Sequence, residues 1–158
     1  MKLDPKYLHI RCQPFDFENP PFDPIVFSQE LVKTMYEQNG LGLAANQVGV
    51  PYQIFAMRGA PENFVIFNPR IIDLSTEEIL LEEGCLSYPG LIVKIKRPSL
   101  IKVRFQTPNG ETRTEKFVGM TARVFLHEND HLLGIRHYDR ASRYHRDQAF
   151  KRVRKVKK

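Results

Sequence analysis

The chain has 158 residues, 42% of them hydrophobic and 27% charged, with a formal net charge of +6. That length serves a single domain with its own core, and no apolar run approaches a membrane span, so no membrane association is expected. Two cysteines, Cys12 and Cys85, are too few for a disulfide framework and fit a reducing, cytoplasmic setting, and the opening "MKLDPKYLHIRCQPF" has no apolar stretch of the kind a secretory signal needs.

The first 24 residues, rich in proline and phenylalanine, predict an irregular wrap. Asp23-Pro24 is a helix start, an N-cap followed by proline at the first helical position. The helix should run to about Glu37 and stop at Asn39-Gly40. The small residues of "GLGLAANQVG" (40–49) then predict a helix end and a tightly packed turn. Short β-type runs follow: "YQIFAM", "FVIFNP", "EEILLEE", "LIVKIKR", "LIKVRFQ" and "ETRTEKFV". Pro108-Asn109-Gly110 between the last two marks a hairpin. Thr121 is expected to cap a second helix, "TARVFLHENDHLL", ended by Gly134. A third helix is expected from about Ser142, with Phe150, Val153 and Val156 forming an apolar stripe among basic residues. Helix, short antiparallel strands, then helix predicts an α+β domain.

The positive charge is local. Residues 136–158 hold ten Lys or Arg against Asp139 and Asp147, a net of +8, which leaves −2 on the first 135 residues. Such asymmetry points to an anionic partner for a basic tail. The expected organisation is a catalytic domain over 1–142 and a basic, helical tail over 143–158.

The chemistry concentrates in "HENDHLLGIRH", residues 127–137. On a helix, His127 and His131 lie four apart on one face and can grip one ion, with Glu128 beside it to take a proton from an activated water. A catalytic metal site needs a third protein ligand, and His137, Cys85, Cys12, His9 and His145 are candidates. His137 would complete the longer signature of a zinc endopeptidase. That class needs a methionine turn downstream, whereas Met1, Met35, Met57 and Met120 all lie upstream and only 21 residues follow His137. Cys85 sits in "EEGCLSYPG", where Gly84 permits close backbone approach, and there a thiolate ligand is a better reading than an inert core cysteine. Gln47 offers an amide donor for a developing oxyanion.

Three segments together resemble the peptide deformylase family, whose motifs are G-φ-G-φ-A-A-x-Q, E-G-C-φ-S and H-E-x-D-H, with φ apolar. They appear here as Gly40 to Gln47, Glu83 to Ser87 and His127 to His131, in that order. The resemblance implies antiparallel sheets packed around a central helix bearing the H-E-x-x-H motif, preceded by an N-terminal helix. It implies Cys85, His127 and His131 as metal ligands, and an iron(II) centre in which Zn, Ni or Co could substitute. It implies Glu128 as general base and then acid, with Gln47 and the Leu86 backbone N–H stabilising the oxyanion. Gly42 would line the substrate backbone, and Leu41, Met120, Val124 and the alkyl stem of Arg123 would form the methionine pocket. The implied reaction is hydrolysis of the formyl group from nascent formylmethionyl chains, releasing formate. A monomer is expected, with ribosome contact through the basic tail. The family's usual Gln before the first His is Leu126 here, and its substrate-facing Arg seven residues after the Cys is Ile92. Glu83 is expected to pair with Arg97. The rival readings are an endopeptidase using His137 and a basic RNA-binding module without catalysis, and the chain carries no aromatic RNA-binding signature.

Overall fold

The computed structural model describes residues 1–156, so Lys157 and Lys158 at the end of the expected tail lie outside the described residues. Helix α1 (Pro24–Glu37) starts as its sequence dictates: the Asp23 carboxylate accepts from the Ile25 and Val26 amides at 2.9 and 3.2 Å, with Pro24 at the first helical position. It ends where Asn39 turns left-handed (φ 56°) and the Gly40 amide returns to the Met35 carbonyl. The wrap before it contains a short 3-10 turn, Pro5–Tyr7, and single bridges from Asp4 to Val48 and from Gln13 to Tyr52.

Among the described residues, seven strands form two antiparallel sheets. The larger has the order β1 (Gly42–Ala44), β2 (Ile54–Met57), β3 (Phe64–Leu74), β6 (Leu100–Gln106), β7 (Thr112–Val118). The smaller is the hairpin β4 (Glu78–Cys85) and β5 (Tyr88–Pro98). The turn between β6 and β7 closes by Thr107 and Glu111, as Pro108-Asn109-Gly110 foretold. The segment 40–49 departs from the expectation of a turn alone: Gly42–Ala44 pair with Phe55–Met57 before a 3-10 turn at Ala45–Gln47.

Helix α2 (Gly119–Leu132) also departs from expectation. It begins two residues before Thr121, with Val118 as an N-cap that supplies no side-chain bond. The chain passes straight from β7 into the helix, and the Gly119 amide is held by the Ser99 carbonyl at 2.9 Å, so no hydroxyl cap is required. Gly134 ends it in a left-handed turn (φ 74°), where a Cβ would press within 3.0–3.1 Å of the His9 backbone.

Strand alternation distributes the core. Phe55 and Met57 join Ile101, Val103, Phe105 and Phe117 against Ala122, Phe125 and Leu126 of α2. The opposite face of β2, Ile54 and Ala56, meets Phe27, Leu31 and Met35 of α1. Helix α3 (Arg143–Val156) starts at Ser142, whose hydroxyl accepts from the His145 amide. Ala149, Phe150 and Val153 of α3 pack on Leu91, Val93 and Ile95 of β5. Val156, expected in the same stripe, does not join them and is 87% exposed. Among the described residues, no helix is long and apolar enough to cross a membrane.

Candidate metal centre and substrate pocket

Cys85 ends β4, while His127 and His131 project from one face of α2. One ligand atom from each lies within 4.8 Å of the others, and the Cys85 Sγ is 3.3 Å from the His131 Nε2. A thiolate with two imidazoles is a donor set suited to a first-row divalent metal. The His127 tautomer follows from its neighbour. Glu83 is buried and ionised, so its Oε1 can only accept, and the His127 Nδ1–H donates to it at 2.8 Å. Once an ion displaces the proton on Nε2, the lone pair there is free to bind it while Nδ1–H stays on Glu83, the arrangement in which a carboxylate orients a ligating histidine.

Glu83 anchors a wider network. It receives Arg97 through Nε and Nη2 at 2.6 and 3.0 Å and Arg123 through Nη1 at 2.6 Å. Arg97 also reaches Asp130 at 2.9 Å, and Asp130 receives Arg140 at 2.8 and 3.1 Å. Burial alone would raise the Glu83 pKa, but hydrogen bonds from His127 and Arg97 outweigh it and hold the carboxyl at about 2. Burial opposes the His127 imidazolium too, yet its bonds to Cys85 and Glu83 push its pKa up to about 10 in the metal-free site. His131 is held well below its ordinary value by burial and by the neighbouring His127 charge.

Glu128 behaves differently. Burial pushes its carboxyl up to about 7, against the attraction of the His127 charge. Its Oε2 is buried with no hydrogen-bond partner among the described residues, an orphaned acceptor beside the ligand cluster. Gly42 makes room for it: a Cβ there would lie 2.8 Å from both the Glu128 Cγ and Oε1. Unpartnered carboxylate and thiolate–imidazole cluster together fit a site built around a cation and a water.

Gln47 is held by both ends of its amide. Its Oε1 accepts from the Ala44 amide at 2.9 Å, and its Nε2 donates to the Ser87 Oγ at 3.0 Å while lying 3.8 Å from the Cys85 Sγ. A pocket of about 380 Å3 opens over the cluster, lined by Leu41, Gly42, Gln47, Cys85, Leu86, Ile92, Met120, Val124, His127 and Glu128 among others. Leu41 and Met120 stand at its rim, each 54% exposed, and Val124 is half-buried. Arg123 also lines the pocket, but its guanidinium turns inward into the Glu83 network. His137 packs beside the cluster without joining its three ligand atoms: its Nε2 donates to the Leu91 carbonyl at 3.0 Å, and its ring lies against His127, Tyr88 and Tyr138 with centroids 5.7–5.8 Å away.

Three contributions escaped the sequence reading. Asn46 donates to the His131 carbonyl at 2.6 Å, tying the 45–47 turn to the ligand helix. Arg140 closes the Asp130 end of the network, and Arg123 clamps Glu83. A sequence signal existed for Arg123, which stands four residues before His127 and therefore on the same helix face.

The family model of polypeptide deformylase matches residues 1–147 of this chain. A peptide deformylase of Thermotoga petrophila is 43% identical over 114 residues, covering 72% of this chain and 70% of the relative. One from Wolbachia pipientis subsp. Culex pipiens is 41% identical over 142 residues, covering 82% and 79%. The crystal structure of peptide deformylase from Thermotoga maritima superposes with a TM-score of 0.81 at 38% identity, covering 86% of this chain and 91% of that one.

Proposed function

The chain belongs to the peptide deformylase family, hydrolases that remove the formyl group from nascent polypeptides, and we propose that it does so at the pocket over Cys85, His127 and His131. The observation that carries this reading is the convergence of three ligand atoms within 4.8 Å beside a buried carboxylate oxygen that has no partner among the described residues. Cys85, His127 and His131 would hold an iron(II) ion, for which Zn, Ni or Co could substitute. When bound, the metal supplies Lewis acidity, lowering the pKa of a water and polarising the formyl carbonyl.

Glu128 takes the proton from the attacking water and later delivers it to the departing amine as the formyl C–N bond breaks, releasing formate. A carboxyl whose pKa burial has brought to about 7 suits both halves of that task. The Gln47 amide and the Leu86 backbone N–H donate to the oxyanion as it develops, and Gln47 needs no reorientation because Ala44 and Ser87 fix it. Gly42 lines the substrate backbone, and Leu41, Met120, Val124 and the stem of Arg123 receive the methionine side chain. Residues 1–142 act as the catalytic domain of a cytoplasmic monomer. The basic helix after them meets the phosphate-rich surface of the ribosome, where nascent chains emerge.

The deciding experiment compares wild type with Glu128→Ala on a formyl-Met peptide, following formate and metal content together. The variant should keep one metal per chain and lose at least about 100-fold in kcat. Near-normal turnover would remove Glu128 from the mechanism, and absence of formate from the wild type would remove the reading. Activity that decays in air with iron and persists with nickel would mark the resident ion as iron(II).

A further inference from the structure

The two halves of the candidate metal centre stand on pieces of structure that share no strand pairing. Cys85 ends β4 in the two-stranded hairpin, whereas His127 and His131 ride on α2, which packs under the five-stranded sheet. Among the described residues neither β4 nor β5 pairs with a strand of that sheet. The backbone bonds that tie the hairpin to it, from the Ser75 amide to the Leu100 carbonyl and from the Ser99 amide to the Glu77 carbonyl, lie at its base, the opposite end from Cys85. No ladder therefore fixes the Cys85 end along the helix. Apolar packing is non-directional and sets a distance poorly by itself. Polar cross-links between α2 and the hairpin do this instead: Glu83 to His127, Arg97 to Asp130, and Arg123.

The first two use residues of the E-G-C-φ-S and H-E-x-D-H motifs, while Arg123 lies outside all three motifs. It also makes a different kind of contact. Its Nη1 donates to the Glu83 Oε2 at 2.6 Å and to the Ile95 carbonyl at 3.1 Å, and its Nη2 donates to the Ile79 carbonyl. Ile79 belongs to β4 and Ile95 to β5, so one rigid guanidinium holds the main chain of both strands and a side chain between them. A main-chain carbonyl cannot shift without its strand.

We propose that Arg123 is a positioning residue that locks the β4–β5 hairpin, and with it Cys85, against the helix carrying His127 and His131. The inference rests on reading those three residues as the metal ligands. Arg123 stands one helical turn before His127, so the lock acts next to the first histidine. Its side chain is withdrawn from solvent (6% exposed), and its loss would leave two strand carbonyls short of a donor and Glu83 short of a cation. The competing role for Arg123 is pocket lining by its alkyl stem alone. Methionine separates the two, since it keeps an unbranched apolar wall and removes every donor.

The test compares Arg123→Met and Arg123→Lys with wild type. Three quantities are measured: the rate of metal loss to a chelator and the thiolate absorption band of the cobalt-loaded protein; kcat and KM on a formyl-Met peptide; and amide exchange in the metal-free protein. For Arg123→Met the metal should be lost about 10–100-fold faster, the cobalt band should shift, and kcat should fall while KM stays near wild type. Amides of 79–95 should exchange faster in the metal-free variant while those of β6 and β7 do not. Lysine, a single point charge, should recover little of this. If Arg123→Met fails to fold, Arg123→Lys carries the same measurements. Wild-type metal retention and hairpin exchange in the variants would overturn the proposal, and so would a uniform rise in exchange over both sheets. A wild-type protein with no thiolate band would instead sink the ligand reading, and hairpin exchange would still decide the role of Arg123.

Discussion

Gly42→Ala tests how tightly the fold aims Glu128. The added Cβ would sit 2.8 Å from the Glu128 Cγ and Oε1 and 3.0 Å from its Cδ, where ordinary contact begins at 3.4 Å. Gly42 has no left-handed backbone angle, so alanine meets no backbone strain there, and the three atoms nearest the added Cβ all belong to the Glu128 side chain. Because Glu128 is enclosed, its side chain can yield only by retreating at least the difference between 2.8 and 3.4 Å. A misplacement of about 1 Å costs on the order of 100-fold in rate, so kcat should fall by roughly 10- to 100-fold, or about 1.4–2.7 kcal/mol of barrier. Metal content should be unchanged, since Glu128 is not among the proposed ligands. The assay is formate release across substrate concentrations, with metal analysis on the same samples. An unchanged kcat with a raised KM would refute the reasoning and show that Gly42 acts only on substrate binding.

Cys85→Ser should weaken metal retention and shift metal preference, whereas His137→Phe should leave both near wild type; the reverse result in metal analysis would reinstate His137 as the third ligand. Glu83, with a folded pKa of about 2 against an ordinary 4.5, contributes stability that is fully present above about pH 4.5 and lost as pH falls towards 2. Its side chain is 5% exposed, so this linkage is worth on the order of 3 kcal/mol in the metal-free protein, and Glu83→Gln should flatten that limb of the pH–stability curve measured by urea unfolding. Truncation after Ser142 should lower Tm, because it strips Ala149, Phe150 and Val153 from β5. Changing Lys151, Arg152, Arg154 and Lys155 to Gln keeps that packing; it should preserve peptide turnover and abolish low-salt co-sedimentation with ribosomes, and salt-insensitive sedimentation of both proteins would refute the ribosome contact.

Features with local causes were legible in the sequence. The limits of α1 follow from Asp23-Pro24 at one end and Asn39-Gly40 at the other, and the β6–β7 turn follows from Pro108-Asn109-Gly110. Each rests on backbone preferences and hydrogen bonds among residues within five positions of one another. His127 and His131 share a face for the same reason, since 3.6 residues per turn places fourth neighbours together. The tertiary structure decided what depends on distant partners. A three-residue strand such as Gly42–Ala44 has no period to detect and exists because β2 supplies its hydrogen bonds. The start of α2 moved ahead of Thr121 because Ser99, twenty residues earlier, holds the Gly119 amide. Likewise, a place one turn before His127 does not by itself separate Arg123 from an exposed helical arginine. Its burial becomes tolerable only when Glu83 and two carbonyls, 28 to 44 residues away, converge on its guanidinium, because a charge leaves water only where such partners replace it.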